Sequence, residues 1–121
     1  MAAPLLSLEA MRLAVPIWGD RVSPLFDVAR RLLLVEVDRG LVVSKMEHDV
    51  AATDRVRSTT QLGVDLLICG AVSRELERML VSAGVDVISD ICGSVDEVVD
   101  AFLADTLGQQ RFIMPGCTRR W

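Results

Sequence analysis

The chain has 121 residues, enough for one domain with one core. An apolar fraction of 51% argues against disorder, and the lack of Tyr with only 4% aromatics makes that core aliphatic. A net charge of −4 weighs against nucleic acid as a partner, because phosphate binding rests on excess Lys and Arg.

No apolar run approaches the roughly 20 residues that span a bilayer, so no membrane partner is expected. Residues 1–10 lack the basic start and long apolar centre of a signal peptide and read as a loose N-terminal extension. The patterned domain is expected over residues 11–108, and residues 109–121 form a tail. Three cysteines with no signal suggest a reducing compartment, the cytoplasm, and no disulfide framework.

Residues 12–17 (RLAVPI) read as a first strand. Pro16 lacks an N–H and belongs near the strand end or on an unpaired side. Gly19-Asp20 and Ser23-Pro24 are turn signals. Residues 32–37 (LLLVEV) form a second strand, and residues 41–48 (LVVSKMEH) a third. Asp38-Arg39-Gly40 between them is short enough to make an antiparallel hairpin. Residues 54–62 are a weak helix with Gly63 as its stop.

Residues 64–68 are an apolar run of the kind buried on both faces of a parallel sheet. Ser73 caps the next helix, whose apolar positions Leu76, Met79, Leu80 and Ala83 follow helical spacing. Gly84 ends it. Residues 85–89 are the fifth strand. Ser94 and Glu97 form a capping box, and Val95, Val98, Val99 and Phe102 give that helix its inner face. The order is β, β, β, α, β, α, β, α, which a mixed five-stranded sheet covered by helices satisfies.

The candidate chemistry lies where strands end. Cys69-Gly70-Ala71-Val72-Ser73 runs from a strand into a helix, and Cys92-Gly93-Ser94 repeats the plan. Ligands of open α/β sheets gather at the carboxyl ends of parallel strands. Thiolates suit iron–sulfur clusters, and the two helix N-termini favour an anion. Gly70 and Gly93 let backbone approach a ligand closely. Against this stands the ordinary reading of Cys69 as a small buried hydrophobe. No CxxC pair occurs, which weighs against a self-contained zinc or four-cysteine site.

His48, the single histidine, shares a strand face with Met46 and is a further metal candidate or a solvent-exposed strand-end residue. Cys117, in the Pro115-Gly116 turn of the tail, is either a mobile ligand or an exposed thiol. Arg119 and Arg120 are available to an anionic ligand.

Several pieces resemble a known family in their order and spacing. They are Leu13-Ala14-Val15-Pro16, Arg21-Val22-Ser23-Pro24-Leu25-Phe26, Leu62-Gly63-Val64-Asp65, Cys69-Gly70-Ala71-Val72, Ala83-Gly84-Val85 and Gly93-Ser94-Val95-Asp96-Glu97-Val98. Together they resemble the dinitrogenase iron–molybdenum cofactor-binding (biosynthesis) family over residues 11–107. The resemblance implies a ribonuclease H-like α/β fold with a five-stranded mixed sheet. It implies a non-enzymatic protein that binds or carries iron–molybdenum cofactor, or an iron–sulfur precursor, beside cofactor-assembly or nitrogenase-type partners. On that basis the cofactor-binding set is Ser23, Cys69, Gly70, Cys92 and Gly93, with Cys69, Cys92, His48 and Cys117 as metal ligands.

One departure matters. Leu25 stands where family members often carry His, and Leu cannot ligate a metal. A metal-free interaction or regulatory module on the same fold is the alternative function. A nuclease is disfavoured, because the first strand offers no carboxylate and Asp20 and Asp90 form no convincing metal-binding constellation.

Overall fold

Arg39 and Gly40 both take positive φ (56° and 79°), the geometry of a two-residue hairpin turn. The hairpin joins β3 (Arg31–Asp38) to β4 (Leu41–Asp49), with Leu34 opposite Met46 and Leu32 opposite His48. β1 (Ala10–Trp18) lies antiparallel to β3 on its other side, Leu13 opposite Val35. The computed structural model describes residues 10–50 and 54–116.

The remaining elements follow as α1 (Arg55–Gln61), β5 (Leu66–Ile68), α2 (Arg74–Ser82), β6 (Asp86–Ile88) and α3 (Val95–Leu103). β5 runs parallel to β1, and β6 parallel to β5. The main path of the mixed sheet is β4-β3-β1-β5-β6.

These five strands are the ones expected, but the sheet has six. β2 (Arg21–Val22) folds back on the end of β1 and pairs off the main path, Ile17 opposite Val22. Two residues are too few for alternation to show in a sequence, so only the Gly19-Asp20 turn was legible. Pro16 sits mid-sheet without penalty. Its carbonyl accepts from Ser23 N (2.8 Å), so its missing N–H faces the side where the β5 ladder, at Leu13 and Ala14, has ended.

Strand alternation sends side chains to two cores. Leu13, Val15, Val35, Val37, Leu66 and Ile68 face α3, where Val95, Val98 and Val99 meet them. Ala14, Leu32, Leu34, Leu67 and Cys69 face the other way, towards Phe26, Val64 and Leu80. Leu80 is fully buried, worth about 2 kcal/mol of transfer free energy. α2 buries less than its spacing suggested, since Met79 is 46% exposed and Ala83 is also exposed.

The two caps expected from the sequence form, Ser73 accepting from Leu76 N and Ser94 from Glu97 N. Asp54, not expected as a cap, accepts from Arg57 N at the start of α1. Gly63 and Gly84 adopt φ of 71° and 91° just beyond α1 and α2.

The packed domain extends beyond the expected limit at Gly108. Phe112 (1% exposed) and Ile113 (8%) belong to the α3-side core. The segment is sewn to the sheet edge by Cys92 N to Phe112 O (2.9 Å) and Met114 N to Asp90 O (2.9 Å). Three adjacent apolar residues, Phe112-Ile113-Met114, in a Gly/Pro-flanked stretch carry no period, so the sequence read as tail.

Candidate functional site

Because β1, β5 and β6 run parallel, their carboxyl ends share one edge of the sheet. Three loops cross there, at residues 23–25, 69–73 and 89–94. Backbone hydrogen bonds knit them into one surface. Ala71 N donates to Pro24 O (2.9 Å), Phe26 N to Ala71 O (2.8 Å), Ile91 N to Cys69 O (3.0 Å), Asp90 N to Gly70 O (2.9 Å) and Val22 N to Gly93 O (3.0 Å). Asp90 holds φ of 64°, a left-handed conformation that Asp tolerates better than most non-glycine residues.

The glycines serve this crossing. A Cβ on Gly70 would lie 2.5 Å from Ser23 O and 2.7 Å from Pro24 O. The backbone that approaches Gly70 is therefore the protein's own. Gly93 is required by its φ of 124°; a Cβ there would make only ordinary contact with Phe112, at 3.6 Å.

The sequence-predicted ligands do not converge. Cys69 is completely buried among Phe26, Leu67 and Leu80 on the α2 side. Cys92 is half-buried, and its thiol donates to Arg111 O at 3.7 Å on the α3 side. One thiol is thus turned into the α2-side core and the other to the Arg111 carbonyl. His48 is on β4, three strand spacings from β5, about 14 Å away. Its Nε2 is buried and makes no hydrogen bond. Met46 shares its face and is 57% exposed. Ser23 is buried, and its hydroxyl turns back to Leu25 O (3.5 Å). Cys117, Arg119 and Arg120 lie outside the described residues. Among the described residues no group of three or more His, Cys, Asp or Glu side chains could hold a metal ion.

The helix N-termini are also less open to an anion than expected. The Asp27 carboxylate accepts from Ser73 N (2.9 Å) at the start of α2, whose first turn carries Glu75 and Glu77. α3 opens on Asp96 and Glu97, and its Val95 N donates to Asp20 O (2.9 Å). Negative groups already complement both dipoles. What the edge exposes is the Cys92 thiol, Leu25, and Trp18 at the end of β1, which is 75% exposed.

This edge, with its Cys-Gly and Ser-Pro loops, falls inside a matched family region. The model of the dinitrogenase iron–molybdenum cofactor family matches residues 9–105.

The chain belongs to the dinitrogenase iron–molybdenum cofactor family.

Within reach of this family assignment, an uncharacterized protein of Methanocaldococcus jannaschii is 25% identical over 112 residues, covering 85% of this chain and 94% of the relative. Two solved structures share the fold. One is the apo form of the orange protein from Desulfovibrio gigas, with TM-score 0.69 and 21% identity over 93% of this chain and 99% of that one. The other is a crystal structure of a Methanocaldococcus jannaschii protein provisionally called a dinitrogenase. It has TM-score 0.71 and 20% identity over 82% of this chain and 93% of that one. No helix among the described residues of this family member is long and apolar enough to cross a membrane.

Sequence reasoning missed Asp27 at the α2 N-terminus, 46 residues distant from Ser73, and the Arg111 carbonyl beneath Cys92. Neither partner has a local signal. The Ser23-Pro24 crossing over Gly70 was signalled only as two separate turns.

Proposed function

We propose that this protein binds a preassembled molybdenum- or iron–sulfur-containing cluster at the carboxyl edge of its sheet and carries it without catalysing a reaction. The family match over residues 9–105 carries this reading. The strand path β4-β3-β1-β5-β6 supports a ribonuclease H-like arrangement as well.

The donor set narrows the cargo. A bare metal ion needs three or four converging ligands, and among the described residues the edge presents one partly exposed thiol, Cys92. One thiolate suits a cluster that arrives with its other ligands in place, held otherwise by loop backbone. Cys69 then acts in packing, and Cys117 is a second donor if the chain end reaches the edge. Such a protein receives its cluster from one assembly partner and yields it to another.

A second reading is a metal-free interaction module. Leu25 in place of the usual His, the carboxylates at both helix N-termini and the exposed Trp18 favour it.

Anaerobic incubation with a preformed thiomolybdate or iron–sulfur cluster separates the two. The carrier gains a charge-transfer band and stoichiometric Mo or Fe after desalting, and Cys92→Ala diminishes both. A wild type that retains no metal overturns the carrier reading and leaves the interaction module.

A further inference from the structure

β4 forms one edge of the sheet, and its outer side is unpaired among the described residues. An exposed edge of nine residues is a template for another strand unless something blunts it. It carries no Pro, and its one register irregularity lies near the hairpin, opposite Glu36 and Val37. Lys45, Met46 and Glu47 are all exposed.

The direction of its backbone groups follows from the ladder. Val50 N donates to Arg30 O (2.8 Å), and Val50 and Arg30 continue the β3–β4 register. In an antiparallel ladder hydrogen-bonded pairs alternate with non-bonded ones. Residues 44, 46 and 48 therefore turn their backbone groups to β3, while 45, 47 and 49 present theirs to the outside.

We propose that β4 pairs antiparallel with β4 of a second copy of this chain, in the register that sets Lys45 opposite Glu47. A two-fold axis then passes through Met46, which meets Met46 of the second copy in a close, non-hydrogen-bonded pair. Centring the axis on Lys45 sets two lysines face to face, and centring it on Glu47 sets two glutamates so. Moving it to Ser44 removes the charge pairing.

The charged side chains are already placed for the Met46-centred register. Lys45 and Glu47 share the α3 face, because they pair with Val35 and Leu33. Within one copy Lys45 Nζ is 3.2 Å from Asp96 Oδ1, and Arg31 Nη1 is 2.8 Å from Glu47 Oε1. Pairing two copies joins these bridges into the series Asp96, Lys45, Glu47, Arg31, twice across the interface. On the other face Met46, 57% exposed in one copy, becomes covered. The two sheets merge into one, and the closed symmetry stops growth at a dimer.

Sedimentation velocity on the full chain from about 1 µM to 1 mM tests this, a span wide enough for a weak dimer. The wild type is expected to pass from monomer to dimer. Lys45→Glu and Glu47→Lys each turn two attractive cross-strand pairs into repulsive ones and lower the association constant about tenfold or more. The double variant Lys45→Glu/Glu47→Lys recovers part of it, because the cross-strand pairs return with their charges exchanged while the bridges to Asp96 and Arg31 are lost. Hydrogen exchange of the wild type gives a reading free of any variant: amides of Lys45, Glu47 and Asp49 gain protection as concentration rises. A wild type monomeric at every concentration overturns the proposal. So does a dimer indifferent to both single variants, or a double variant that fails to recover.

Discussion

Replacing Gly70 by alanine is expected to be among the most damaging single-methyl additions in this protein. The new Cβ would stand 2.5 Å from Ser23 O, 2.7 Å from Pro24 O and 2.9 Å from Pro24 C. All three are backbone atoms, so no side chain can rotate away. The loop cannot withdraw freely either, because Ala71 N is bonded to Pro24 O and Phe26 N to Ala71 O. Overpacking in such a site costs about 1–3 kcal/mol. Weakening the two loop bonds adds about 1 kcal/mol each. A loss of about 3–5 kcal/mol is therefore expected, which at a urea m-value of about 2 kcal/mol/M moves the midpoint down by about 1.5–2.5 M. Gly84→Ala is the control: nothing lies within 4 Å of its added Cβ, and only its φ of 91° opposes the change, at about 1 kcal/mol. Urea titration followed by circular dichroism measures both. A Gly70→Ala midpoint within error of the wild type, or no lower than that of Gly84→Ala, refutes the account of the crossing.

Phe112→Ala opens a cavity in the α3-side core and should destabilise by about 3–5 kcal/mol, measured by the same titration; a loss below about 1 kcal/mol would return residues 109–116 to the status of a tail. Iodoacetamide should label Cys92 in the native protein while Cys69 reacts only in denaturant, as located by peptide mass spectrometry. Native labelling of Cys69 at the Cys92 rate would show that the α2-side core does not shield it.

The family assignment and the course of the chain were legible because both rest on local chemistry. Ser73 and Ser94 each satisfy the N–H three residues on, in their own helix. Gly63 and Gly84 supply the left-handed residue that ends one. Alternation and apolar runs marked the five principal strands to within a few residues. The Cys-Gly steps were correctly read as loops following strands, which put them at the carboxyl edge.

The use of those loops was settled by tertiary structure. Cys69 continues the alternation of β5 one residue past its end: Leu66 and Ile68 face α3, while Leu67 and Cys69 face the opposite core against Leu80. That both of these faces are covered, so that the thiol is buried rather than open to a ligand, is what the tertiary structure adds. Cys92 turns its thiol to the Arg111 carbonyl, in a segment that its own N–H holds through Phe112 O. His48 lies on the far edge strand because β1 and β3 stand between β4 and β5, an ordering that only the sheet decides. The amino-acid sequence by itself determined the strands, the caps, the stops and the family. Packing across dozens of residues decided that Gly70 makes room for Ser23 and Pro24, that the Asp27 carboxylate faces the α2 N-terminus, and that of the two described thiols Cys69 is buried and Cys92 partly exposed. Local hydrogen bonds are written in neighbouring residues, whereas burial and facing are relations between distant ones.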